Sequence, residues 1–226
     1  MILDYLSGRQ VNISTIEDPV EKNLSGINQT QVNPTAGLTF DVGLRALMRQ
    51  DPDIIMVGET RDGETAGTSV RAAITGHMVL STLHTNDAVS SIVRLEDMGV
   101  ETYLVANSLV GLIAQRLLRK VCQNCAKEVE TTEQERILLG EDVCTVKRGM
   151  GCSQCNHTGY RGRIAVHEIL AINQDIRRMI MEHESVENIT KYAREHQHMR
   201  TLKESGLILV KEGVTTPEEL MKISYE

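Results

Sequence analysis

The stretch DPDIIMVGETRDGETA (Asp51–Ala66) carries a turn, a strand and a helix start in immediate succession. Asp51-Pro52 closes a preceding helix, because proline disfavours helical backbone at the residue before it. Ile54–Val57 is a continuous apolar run of the kind buried on both faces of a parallel sheet. Glu59 stands just past that strand, and a charged turn leads into a helix across Ala66–Thr75 closed by Gly76.

Outward from this unit the pattern repeats. VNISTIEDP (Val11–Pro19) reads as a β-branched strand stopped by a proline, and TFDVGLRALMRQ, from Thr39, reads as a helix. MVLSTL (Met78–Leu83) is the next strand. NDAVSSIVRLEDMG then offers Asn86 or Asp87 as N-cap, a helix, and Gly99 as its stop. A further helix is expected from about Tyr103 to Leu118. Strands alternating with helices indicate βαβ units and a mostly parallel sheet. Right-handed crossovers then bring the strand C-termini to one edge. Glu17 and Asp18, Glu59, and His84 each follow a strand C-terminus, so that edge is the expected site.

Beyond the strand–helix repeat, glycines and cysteines gather, and TTEQERILL (Thr131–Leu139) is the one helix expected there. After Ala165 the sequence turns helical, with INQDIRRMIMEH and VENITKYAREHQ. TPEE announces a last helix, with Thr216 as N-cap, Pro217 at the first helical position and Glu219 closing a capping box. The expected organisation is an α/β core over 1–120, a cysteine lobe over 121–160 and a helical subdomain over 161–226.

Composition narrows the classes. The chain has 226 residues, 41% of them hydrophobic, but only 3% aromatic, which leaves no stacking platform for single-stranded nucleic acid. The formal net charge of -7, with no dense Lys/Arg block, argues further against nucleic acid as a partner. Asp4 interrupts the short apolar start, so MILDYLSGRQ is no signal peptide. LVANSLVGLIAQRLL contains Asn107, Ser108, Gln115 and Arg116 and is no membrane span. A cytoplasmic protein is expected, with its thiols reduced.

CQNC (Cys122–Cys125) and CSQC (Cys152–Cys155) are two C-x-x-C pairs separated by 26 residues. Together Cys122, Cys125, Cys152 and Cys155 offer the four thiolates that zinc takes in closed structural sites. Redox pairs and unliganded buried thiols are the alternatives, although redox motifs usually come singly near the start of a βαβ helix. Cys144 is expected as a small buried or half-buried hydrophobe. His157 is a spare ligand beside a complete set.

These motifs in this order resemble the ATPase domain of the type II secretion and type IV pilus assembly ATPases, the GspE/PilB family. The resemblance rests on ISTIEDPVE, LRALMRQDPDIIMVGETRD, GHMVLSTLHTND, AQRLLRKVCQNC, and GCSQCNHTGYRGR with its downstream HEIL. It implies a RecA-like P-loop NTPase core with a tetracysteine zinc lobe and a C-terminal helical subdomain. ISTIEDPVE is similar to the family's Asp box, whose acids Glu17, Asp18 and Glu21 would surround Mg2+ and its waters. DIIMVGE is similar to a Walker B segment in which Gly58 takes the place of the usual aspartate and Glu59 the catalytic place. GHMVLSTLHTND resembles the His box, implying that His77 and His84 contact the nucleotide or its water. Arg45, Arg49 and Arg61 are implied near the phosphates, some reaching a neighbouring subunit, with surface ion pairing as the alternative. Arg161 and Arg163 are weaker candidates of the same kind.

No G-x-x-x-x-G-K-[ST] phosphate loop occurs, and the dipeptide Gly-Lys is absent. MILDYLSGRQVNIST looks like the tail of the helix that follows such a loop, which would put Met1 inside the ATPase domain. These residues alone are therefore expected to hydrolyse ATP negligibly. The resemblance implies part of an ATP- and Mg2+-dependent motor, working as a homo-hexamer on inner-membrane platform proteins, peripheral to the cytoplasmic membrane, with structural Zn2+. The competing reading is a stand-alone, non-hydrolysing, zinc-containing interaction module that binds a ring or platform partner.

Overall fold

The computed structural model describes residues 2–224. The chain divides into two compact units, residues 1–85, 90–110 and 172–186 in the first, and residues 86–89, 111–171 and 187–226 in the second.

The first unit is an α/β layer. Helix α1 (Ile2–Ser7) leads to strand β1 (Ile13–Glu17), then β2 (Asn28–Gln31), helix α2 (Phe40–Leu47), β3 (Ile54–Val57), α3 (Gly63–Ile74) and β4 (Met78–Ser81). The four strands are all parallel, in the order β2-β1-β3-β4. Period-two alternation sends the two halves of IIMV to opposite faces. Ile55 and Val57 pack with Ile16, Val32, Leu44, Leu47 and Ala72, while Ile54 and Met56 join Leu3 and Ile13 on the other face. That two-sided burial is why the run is continuous rather than alternating.

Local chemistry sets the helix starts. The Thr39 hydroxyl caps α2 at the Val42 amide, and the Asp62 carboxylate caps α3 at the Thr65 amide. Gly43 lets α2 lie against β1, where an added Cβ would fall 2.7 Å from Ile16 Cδ1. Helices α4 (Ser90–Asp97), α5 (Thr102–Ser108) and α7 (Gln174–Met181) complete this unit. Neither Asn86 nor Asp87 begins α4, which starts at Ser90.

The helix expected over Tyr103–Leu118 stops at Ser108. Gly111–Val121 is instead strand β5, paired antiparallel with β8 (Tyr160–Ala171) in the second unit. Leu112, Ala114 and Leu118 point inward at period two, opposite Leu170, Glu168 and Ile164. The expected boundaries at 120 and 160 fall inside this ribbon, so the chain divides elsewhere.

The second unit also holds β6 (Ala126–Glu130) paired antiparallel with β7 (Thr145–Gly149), and between them α6 (Glu133–Leu139), started by a Thr132/Glu135 capping box. Helices α8 (Val186–Gln197), α9 (Leu202–Lys211) and α10 (Pro217–Ser224) follow. Leu139, Val146, Val210 and Leu220 form its core cluster. The capping box expected at α10 gives way to tertiary bonds. Glu219 accepts from the Arg119 amide and guanidinium, and Thr216 pairs with the Tyr160 hydroxyl. Cys144, expected buried or half-buried, is exposed.

Candidate functional site

The C-terminal ends of β1, β3 and β4 form one edge of the first unit, and the sheet delivers Glu17, Glu59 and His84 to it. Glu17 is the last residue of β1 and is 8% exposed. Its Oε1 accepts from the Thr15 hydroxyl at 2.6 Å and from the Gln29 amide at 3.0 Å. Thr15 shares the Glu17 face because it lies two residues earlier on the strand, and Gln29 comes from the parallel neighbour β2. Gln29 also donates to the Lys22 carbonyl and accepts from the Leu24 amide, which shapes the loop after β1. Asp18 and Glu21 stand exposed in that loop.

Glu59 follows Gly58 at the end of β3. Glycine suits the close approach there, since a Cβ would crowd the Glu17 Cα and the Ile16 carbonyl oxygen at 3.3 Å. The Glu59 side chain is only 14% exposed, against 83% for His84, whose Nε2 lies 3.5 Å from Glu59 Oε2. A largely buried carboxylate facing an accessible imidazole has the geometry for accepting a proton beside a group free to meet a ligand. The Arg61 guanidinium pairs with the same Glu59 oxygen.

The other candidates are held apart from this cluster. Arg45 bonds Asp41 at 2.8 Å within α2. Burial alone would raise the Asp41 carboxyl, but the bonds from Arg45 and from Thr68 hold it below its ordinary value. Arg49 follows α2 just before β3 begins, at the opposite edge of the sheet, and is exposed. His77 precedes β4, also at that opposite edge, with its Nδ1 3.0 Å from the Ala72 carbonyl at the end of α3. The sheet thus brings together Glu17, Glu59, Arg61 and His84, and leaves His77, Arg45 and Arg49 outside that group. Thr15 and Gln29 escaped the sequence reading. Thr15 was signalled by its i, i+2 relation to Glu17, whereas Gln29 carries no local signal.

In the second unit the four cysteine sulfurs lie within 4.8 Å of one another. The separations are 3.9 Å for Cys122–Cys152, 3.9 Å for Cys125–Cys155 and 3.7 Å for Cys152–Cys155. Four sulfurs at about 2.3 Å from a tetrahedral metal stand about 3.8 Å apart, far beyond the roughly 2.05 Å of a disulfide. N–H donors point at the sulfurs, from Asn124 to Cys152 at 3.3 Å and from Cys152 and Gly159 to Cys155 at 3.2 and 3.3 Å. Such donors stabilise thiolates and orient them. The Asn124 bond leads in bringing the Cys152 thiol down to about 6. Burial pushes Cys125 up to about 11. The set fits a soft, tetrahedral cation. His157 is not a member, and contributes its amide to the Cys152 carbonyl.

Among the described residues no helix is long and apolar enough to cross a membrane.

Comparison with known proteins places these features in context. The family model described as type II/IV secretion system protein matches residues 1–222. The type IV pilus assembly ATPase PilB of Thermus thermophilus is 47% identical over 230 aligned residues, which span all of this chain and 26% of that protein. The type II secretion system ATPase E of Vibrio cholerae is 43% identical over 99% of this chain and 45% of its own length. This chain therefore spans less than half the length of those relatives. The crystal structure of the pilus retraction motor PilT with bound ADP superposes with a TM-score of 0.73 at 30% identity, covering 100% of this chain and 56% of that one. The ATPase DotB of Legionella pneumophila shares the fold at a TM-score of 0.64 and 21% identity.

Proposed function

Because this chain belongs to the type II/IV secretion system protein family, we propose that it is part of a longer motor ATPase. In this reading the motor works as a homo-hexameric ring at the cytoplasmic face of the membrane, where it moves the platform of a secretion or pilus-assembly machine. The observation that carries the reading is the half-buried Glu59 just past the end of β3, 3.5 Å from His84, with the preceding Gly58 packed against Glu17.

Glu59 orients the attacking water and accepts its proton. His84 hydrogen-bonds the γ-phosphate or that water, and being the exposed member of the pair it carries the presence of nucleotide to the segment that follows. Glu17, already fixed by Thr15 and Gln29, with Asp18 and Glu21 beyond it, would hold Mg2+ through its waters. The cation's contribution, when bound, is to offset charge on the phosphates. Arg61 occupies one Glu59 oxygen, so freeing that oxygen for water turns the guanidinium toward the phosphates. Arg45 and Arg49, outside this cluster, are candidates for a neighbouring subunit's nucleotide. The four cysteines hold a structural Zn2+ that closes the β6–β7 lobe and does no chemistry.

The phosphate cradle is not among these 226 residues. Full-length protein is expected to turn over ATP, and residues 1–226 alone to show negligible turnover, in a phosphate-release assay run on both. Turnover by the 226 residues that vanishes in Glu59→Gln would overturn the second expectation. A full-length protein that binds its partners without hydrolysing ATP would leave the interaction-module reading instead.

A further inference from the structure

We propose that Thr82 is a positioning residue that brackets Glu59 from both sides. The inference rests on the hydrolytic reading of Glu59 and concerns how that side chain is held.

The β3–β4 ladder ends at the Val57 and Ser81 pair. Past that point the two chains would be expected to separate, since neither is in a regular strand. They do not separate. The Thr82 hydroxyl donates to the Gly58 carbonyl at 2.7 Å, and the Thr60 amide donates to the Thr82 carbonyl at 2.9 Å. The residues immediately before and after Glu59 are thus both tied to Thr82. The Thr60 and Ser81 hydroxyls add a third link at 2.8 Å, with Thr60 only 3% exposed. On the other side the Gly58 amide donates to the Ile16 carbonyl at 2.8 Å. Gly58 is therefore clamped between β1 and the exit of β4, and Glu59 leaves from a backbone fixed on both flanks. The same exit carries His84 two residues beyond Thr82, so one threonine sets the backbone from which both members of the pair project.

Water activation depends on placement, and a misplacement of about 1 Å costs as much as roughly a hundredfold. Of the two links made by Thr82, the hydroxyl can be removed without altering the backbone. Valine has the same branched shape without the donor, and serine restores the donor without the methyl.

The test uses the full-length protein as wild type, Glu59→Gln, Thr82→Val and Thr82→Ser. Thr82→Val is expected to lower kcat about tenfold with KM for ATP unchanged, which marks an interaction that acts on the reacting geometry and not on binding. Thr82→Ser is expected to restore the wild-type kcat. A Thr82→Val enzyme as fast as wild type, or a Thr82→Ser enzyme as slow as Thr82→Val, overturns the proposal. Backbone amide exchange across Gly58–Arg61 supplies a readout independent of turnover, expected to be faster in Thr82→Val and at the wild-type rate in Thr82→Ser. Equal exchange in all three also overturns the bracket. Turnover that survives Glu59→Gln rejects the hydrolytic reading instead, and the exchange result then decides the bracket alone.

Discussion

Thr15 and Gln29 donate to the same oxygen of Glu17, and their different legibility shows where reading single residues stops. Thr15 lies two positions away on one strand, so a period of two places it beside Glu17. Gln29 reaches it only through the β1–β2 register, which no local pattern announces. Glu59 and His84 were legible because each follows an apolar strand directly, and parallel topology puts all such positions on one edge. His77 precedes its strand, and the same rule puts it on the opposite edge, tied to the Ala72 carbonyl.

A residue-scale prediction concerns Glu219. Burial alone would raise its carboxyl, but the Arg119 guanidinium and amide and the Lys222 ammonium overcome that and hold it at about 2, from an ordinary 4.5. A carboxyl depressed on folding adds stability that is present above 4.5 and is lost as pH falls through about 2. Its partners are partly exposed, so the contribution is on the order of 2 kcal/mol. Urea unfolding of wild type and Glu219→Gln is expected to show a gap of that size near neutral pH, narrowing as pH drops from 4.5 towards 2. A gap independent of pH would remove Glu219 as its source.

At the scale of elements, the strand–helix alternation of the first unit was readable because β1 and β3 are short β-branched runs bounded by proline, aspartate and glycine. In the second unit α6, α8 and α10 were readable in the same way, but the strands were not. GLIAQRLLRKV is built from good helix formers and has apolar residues at both odd and even positions, so neither a period of 2 nor one of 3.6 stands out. It becomes β5 because Leu112, Ala114 and Leu118 meet a partner of similar length, β8. Pairing with a strand far along the chain overrides propensity. The α10 capping box failed for a related reason, since Arg119 offers Glu219 a guanidinium where the box offers only a neutral amide.

The cysteine lobe was legible as spacing and is now also a geometry. Replacing Cys152 by serine is expected to abolish stoichiometric zinc in elemental analysis and to destabilise the second unit, seen as a lower melting temperature. Asn124→Ala removes only the outer hydrogen bond to Cys152 and is expected to weaken zinc binding by about 10- to 100-fold without abolishing it. Chelator competition measures both. Zinc retained in full by Cys152→Ser would mean that the cluster is not the site.

For the whole molecule, the family follows from a match over residues 1–222 together with relatives above 40% identity. The fold follows from the parallel sheet and its likeness to PilT. The proposed ring and the machine it would drive depend on surfaces and partners that a single chain's core pattern does not encode. In the proposed function, the edge carrying Glu17, Glu59 and His84 hydrolyses ATP. Its most direct test is the full-length protein with Glu59→Gln, assayed in parallel for ATP binding and for phosphate release. ATP affinity is expected to stay close to wild type with turnover reduced by at least about a hundredfold. A Glu59→Gln protein that releases phosphate at the wild-type rate would contradict it.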